Sequence, residues 1–183
     1  MPSTAFMTDE ELLNLPKNGY KYEYINGELV KTPGTMLRGN IGLRLGHLID
    51  KYLDQNSIAE VYGSNTGYRM RSDDLLSPDL SVVLIKSFPE GIEPEGFGSF
   101  APDIAVEVLS PSERRKKLVE KIAAYFANGS KLVFVLDPNL KTVEVYRSPE
   151  KMETLQESGV LDCSLVLPGF ACKVSEIFKQ RSR

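Results

Sequence analysis

Two acids placed at short apolar runs carry the chemistry that this chain could perform. Asp79 opens the run Leu80, Val82, Val83 and Leu84 within Ser-Pro-Asp-Leu-Ser-Val-Val. Glu107 lies inside the run Ile104, Ala105, Val106, Val108 and Leu109 within Pro-Asp-Ile-Ala-Val-Glu-Val. Short β-branched runs bounded by Pro and Ser read as buried strands. A carboxylate inside such a run is costly unless something pairs with it. If the two strands are neighbours, Asp79 and Glu107 can share one cation. Hard cations such as magnesium are held by one or two carboxylates together with substrate phosphates. The pair therefore points to metal-dependent work on a phosphodiester. The competing reading makes Asp79 a turn cap and Glu107 the partner of a lysine.

Hydrolysis of such a bond also needs a cation to steady the charge that builds on phosphate. Lys117 and Lys121 lie about one turn apart on the helix expected after Glu107, and a lysine there can reach the carboxylates. Glu23, flanked by tyrosines, is a further acid that could orient water or complete a metal shell. Arg114-Arg115-Lys116-Lys117 is the one basic run. It opposes the dipole at a helix start, and reads either as a DNA-backbone contact or as a solvated first turn. Arg69 and Arg71 are open in the same way. His47 has no serine or cysteine nucleophile to serve, and the tyrosines read as hairpin packing.

These residues need elements to hold them. Thr8 followed by Glu11 forms a capping box for a short helix ending near Leu15-Pro16. Asn26-Gly27 between apolar stretches signals a hairpin with strands near 20–25 and 28–32. Residues 36–52 carry Ile41, Leu45, Leu48, Ile49 and Tyr52 at helical spacing, with Gly39, Gly42 and Gly46 allowing close packing. Strands follow near 59–63, 67–71 and 79–85. A Pro- and Gly-rich loop over 86–101 precedes the Glu107 strand, and a loop of that length is often functional or mobile. A helix near 113–128, capped by Ser112, leads to a strand at 131–137. Returning strands fit at 142–146, 152–156 and 160–166, with a terminal helix at 175–179. The strand–helix–strand unit at 103–137 implies a parallel pair with a right-handed crossover. The expected class is α/β, a central mixed β-sheet flanked by helices, in one domain over residues 1–183.

Four segments strengthen this picture: Tyr-Glu-Tyr-Ile-Asn-Gly-Glu-Leu-Val, Ser-Pro-Asp-Leu-Ser-Val-Val, Pro-Asp-Ile-Ala-Val-Glu-Val-Leu-Ser-Pro-Ser and Glu-Lys-Ile-Ala-Ala-Tyr-Phe-Ala-Asn-Gly. Together they resemble the Uma-type restriction endonuclease-like family of the PD-(D/E)XK nuclease superfamily, over roughly residues 20–147. The resemblance implies a restriction endonuclease-like core and a Mg2+- or Mn2+-dependent endonuclease acting on DNA. It makes Asp79 and Glu107 the metal ligands and Glu23 the early acid of such nucleases. Leu109 stands where the motif has lysine, and the resemblance supplies that lysine from the next helix, as Lys121. The departure at Leu109 keeps a second expectation open: a catalytically inactive nuclease-fold protein acting in DNA binding or assembly.

Bulk properties set the frame. The 183 residues are 42% apolar and 26% charged, with a formal net charge of −3. An overall basic footprint for coating nucleic acid is absent. Cys163, Cys172 and the lone His47 make no zinc cluster, and the two cysteines fit a reduced, cytoplasmic setting. The start of the chain has no basic segment followed by an apolar one, so it does not read as a signal peptide. No run approaches the roughly 20 apolar residues of a membrane span. A homodimer is expected, because cutting two strands is simplest with two sites about a two-fold axis. Val143, Val145, Tyr146 and Met152 are the residues expected to cover a neighbour's edge.

Overall fold

The computed structural model describes residues 7–110 and 115–179. The chain runs α1 (Asp9–Leu13), β1 (Tyr20–Ile25), β2 (Glu28–Pro33), α2 (Met36–Leu53), β3 (Ala59–Gly63), β4 (Tyr68–Arg69), β5 (Leu75–Leu76) and β6 (Leu80–Leu84). It continues with β7 (Ile104–Val108), α3 (Arg115–Ala127), β8 (Leu132–Asp137), β9 (Thr142–Ser148), β10 (Lys151–Leu155), β11 (Val160–Asp162), β12 (Ala171–Lys173) and α4 (Val174–Ile177). The expected cap Ser112, with Arg114 of the basic run, lies outside the described residues.

The central sheet has the order β10-β9-β8-β7-β6-β3. Within it β7 and β8 are parallel and joined through α3, while the other neighbours are antiparallel. The sheet is therefore mixed, as the strand–helix–strand pattern demanded. Alternation sorts its side chains onto two faces. Leu80, Val82, Ile104, Val106, Val108, Phe134 and Val145 join Leu45 and Ile49 of α2 in one core, together with Val174 and Ile177 of α4. Val83, Ala105, Val133 and Val135 join Leu118, Ile122 and Tyr125 of α3 in the other. Helices thus cover both faces.

A second sheet, β2-β1-β5-β4, is built on the hairpin. Its turn is formed by Asn26 at φ 51° and Gly27 at φ 81°. This pair of positive angles matches the twist of the flanking strands, which is why Asn-Gly is favoured there. The backbone N–H of Asn26 also donates to Asp74 Oδ1 at 2.7 Å. Helix α1 starts at the predicted capping box, with the Thr8 and Glu11 side chains each accepting from the other's backbone.

Several boundaries differ from the sequence expectation. The strand expected at 67–71 shortens to β4, and β5 pairs with both it and β1. The strand expected at 160–166 ends at Asp162 and pairs with β12, a three-residue strand without a period to reveal it. The loop over 86–101 contains two 3-10 turns, Ile85–Ser87 and Pro89–Gly91. Phe100 ties it to the core, edge-on to Tyr68 at 6.2 Å and to Phe88 at 6.1 Å. Val143, Val145 and Tyr146 are buried within this chain's own cores, which leaves Met152 as the exposed one of the four residues expected at a dimer edge.

Candidate active site

Adjacent strands deliver the two acids to one place. Leu80 of β6 pairs with Val106 of β7, and the Asp79 N–H donates to the Val106 carbonyl at 2.8 Å. Asp79 thus sits at the mouth of β6, level with the end of β7. The Val108 N–H then donates to Asp79 Oδ2 at 2.7 Å. Glu107, between Val106 and Val108, points the other way, onto the face covered by α3.

Helix α3 answers Glu107 from above. Lys121 and Tyr125, four residues apart and so on one helical face, both reach Glu107 Oε1. The Lys121 ammonium lies 2.6 Å away, and the Tyr125 hydroxyl donates at 2.8 Å. Oε2 of Glu107 is buried and has no hydrogen-bond partner among the described residues. Burial pushes the Glu107 carboxyl above its usual range; the Lys121 and Lys21 cations oppose this, and the Glu23 and Asp79 charges add to it. Burial and the neighbouring Glu107 and Glu23 charges raise the Tyr125 phenol well above its ordinary value.

The hairpin closes the site from the third side. Lys21 and Glu23 are two residues apart on β1 and share a face. Glu23 is buried and accepts from the Ser77 N–H at 2.9 Å. Its Oε1 lies 3.1 Å from the Lys121 ammonium, which therefore bridges Glu23 and Glu107. Burial alone would raise the Glu23 carboxyl, but Lys121, Lys21 and the Ser77 N–H outweigh it and hold the group below its usual range. Asp79 behaves likewise: Lys21 and Arg38 outweigh burial and keep it low. Lys21 Nζ lies 3.0 Å from Asp79 Oδ1, and Arg38 donates to Oδ1 at 3.1 Å and to Oδ2 at 2.8 Å.

All four predicted residues, Glu23, Asp79, Glu107 and Lys121, therefore converge. Lys21, Arg38 and Tyr125 belong to the same cluster and were missed. Tyr125 had a signal, its spacing of four from Lys121. Lys21 had one too, its shared strand face with Glu23. Arg38 follows the cap Thr35 in the first turn of α2 and had none. The other candidates stand outside the cluster, though Lys117 lines the cleft that leads to it. Arg69 pairs with Asp9 and donates to the Asp73 carbonyl. Arg115 bonds Glu144 and Tyr146. Lys117, Arg71 and His47 are exposed.

The cluster opens to solvent through a cleft of about 380 Å3 between the hairpin and α3, lined by Glu23, Lys31, Arg38, Ser110, Lys117 and Lys121. Its lining sets four cations, Lys31, Arg38, Lys117 and Lys121, against the one acid Glu23, among neutral residues such as Ile25 and Val30, a balance that suits an anionic ligand. A second cavity, of about 70 Å3, lies beside Asp79, Lys21 and Arg38. Among the described residues no three of His, Cys, Asp and Glu gather closely enough to hold a metal ion. What is present is a pair of hard oxygen donors with one buried, unpartnered atom, Glu107 Oε2. That fits a magnesium-like ion, which uses one or two carboxylates and takes its remaining ligands from water and phosphate.

Comparison with known proteins agrees with this architecture. A solved structure from Anabaena variabilis, described as a "putative nuclease", superimposes with a TM-score of 0.80 at 22% identity, covering 94% of this chain and 97% of that one. At that identity the likeness speaks for the fold: a central mixed sheet flanked by helices. None of the curated proteins matches the chain. The model of the Uma2 family, described as "Putative restriction endonuclease", matches residues 9–175. The chain belongs to that nuclease family.

Proposed function

We propose that the protein is an endonuclease that hydrolyses DNA phosphodiester bonds with the help of Mg2+ or Mn2+. The observation that carries the reading is Lys121. The motif position two residues after Glu107 is Leu109, yet an ammonium from α3 stands 2.6 Å from Glu107, where a strand lysine would otherwise serve. That contact supports Lys121 as the stand-in for the lysine that Leu109 does not supply. Asp79 and Glu107 would hold the divalent ion, Glu107 through its vacant Oε2. Such an ion supplies Lewis-acid activation of water and neutralises charge on phosphate. Lys121 stabilises the negative charge that grows on the phosphoryl oxygens. Glu23 fixes Lys121 from the opposite side to Glu107. Tyr125 holds the Glu107 carboxylate in place by donating to Oε1.

The test is cleavage of plasmid and branched DNA in Mg2+ or Mn2+, wild type beside Glu107→Ala. Metal-dependent nicking by the wild type alone is expected, and equal cleavage by both proteins would refute the assignment. One observation favours a second reading, a catalytically silent nuclease fold that binds DNA or assembles: every acceptor of Asp79 is occupied by Lys21, Arg38 or Val108. Calorimetric titration separates the two. Heat of Mn2+ binding that disappears in Asp79→Ala supports the enzyme, and no heat in the wild type supports the silent fold.

A homodimer suits two-strand cleavage and is part of the proposal. A reducing, cytoplasmic setting is also proposed, supported by Cys163 and Cys172 as free, buried thiols. No helix among the described residues is long and apolar enough to cross a membrane.

A further inference from the structure

Three acids (Glu23, Asp79, Glu107) and three cations (Lys21, Arg38, Lys121) form the cluster, and each side chain is under one-tenth exposed. Their charges cancel. Lys121 has a place in the proposed chemistry; Lys21 and Arg38 have none so far. Both contact Asp79 directly. An ionised carboxylate offers about four acceptor positions. On Asp79 they are taken by Lys21 on Oδ1, Arg38 on both oxygens, and the Val108 N–H on Oδ2. A divalent ion approaching Asp79 must therefore remove a donor.

The three donors are not equally fixed. The Val108 N–H belongs to a central strand. Arg38 reaches both oxygens through Nη2, at 3.1 and 2.8 Å, from the first turn of α2. Lys21 makes a single contact from a flexible four-carbon stem. It also lines the cavity of about 70 Å3 beside Asp79, together with Thr32, Thr35 and Ser64. An ammonium swinging away from Oδ1 has hydroxyl groups to meet there.

We propose that Lys21 is a resident counter-ion of Asp79 that an incoming divalent cation displaces, so that Lys21 sets the metal concentration at which the site loads. This rests on the reading of Asp79 as a metal ligand. Without Lys21 the metal-free centre would bury one uncompensated negative charge, which is strongly unfavourable. With it, the metal-free protein is electrically balanced but the metal meets a competitor.

Calorimetric titration of Mn2+ into wild type, Lys21→Gln, Lys21→Arg and Asp79→Ala tests this. Removing the competitor should tighten Mn2+ binding in Lys21→Gln by about tenfold or more, since each 1.4 kcal/mol or so is a factor of ten. Lys21→Arg, able to hold a carboxylate on two hydrogen bonds, should bind several-fold more weakly than wild type. The melting temperature of Lys21→Gln should also rise more on adding Mn2+ than that of the wild type. If Lys21→Gln does not fold, Lys21→Arg decides alone. Loss of binding in Asp79→Ala with unchanged affinity in the folded Lys21 variants overturns the counter-ion role and leaves the metal site standing. Binding absent from the wild type and both Lys21 variants, or retained in Asp79→Ala, overturns the metal reading and this inference with it.

Discussion

Lys121 is the residue on which the site turns. It stands between two buried carboxylates, so its removal exposes each to an uncompensated charge rather than merely deleting a contact. Lys121→Met should cost roughly 3–5 kcal/mol in urea denaturation, the range for breaking a buried pair, and should abolish cleavage. Lys117→Met, one turn earlier and exposed, should stay within about 0.5 kcal/mol of wild type. Equal effects of the two substitutions would show that the bridge between Glu23 and Glu107 is not formed. Asp79 and Glu107 were legible as charges at apolar runs, whereas Lys121 as the lysine and Glu23 as the early acid followed from the family resemblance. Arg38 broke no pattern, and Lys21 offered only its shared strand face with Glu23. A lysine alternating with tyrosines on a hairpin reads as solvated. Only the docking of that hairpin against the ends of β6 and β7 turns it inward.

At the scale of elements, α2 positions Asp79 by contact of backbone with backbone. A Cβ on Gly42 would stand 3.3 Å from the Asp79 carbonyl oxygen, and one on Gly46 3.0 Å from Leu80 Cδ1. A Cβ on Gly39 would meet nothing within 4 Å. The three glycines, alike in sequence, therefore separate. Gly39→Ala should stabilise the protein by about 0.5–1 kcal/mol through helix propensity. Gly42→Ala must push the chain at Asp79 by a few tenths of an ångström, so the helical gain is offset while cleavage falls. Thermal melts alongside plasmid nicking check both, and undiminished cleavage by Gly42→Ala would dissolve the link between helix and site. Long periodic elements, such as α2, α3 and β8, and the Asn-Gly hairpin were readable from local pattern. β5 and β12 were not, because two or three residues carry no period and such strands exist only through their partners.

For the whole molecule, the mixed sheet followed from one strand–helix–strand unit, while the second sheet built on the hairpin could not be foreseen without knowing where β5 falls. Assembly is the property least visible from sequence. Light scattering at micromolar concentration should give a mass near twice the 20.4 kDa of one chain, and a mass near 20.4 kDa would remove the dimer from the proposal. The site itself has another consequence, in the order of folding. The Lys121–Glu23 bond spans 98 residues of sequence and the Lys21–Asp79 bond 58. Contacts so distant carry the largest loop-closure cost and tend to form after local ones. The β7–α3–β8 unit can be built early from neighbouring residues, whereas the hairpin carrying Lys21 and Glu23 must wait for α3. A ribosome-bound chain that has not yet released residue 121 lacks the cation that bridges Glu23 and Glu107. The proposed site is therefore complete only once the hairpin has docked on α3, and it comes apart when the hairpin lifts.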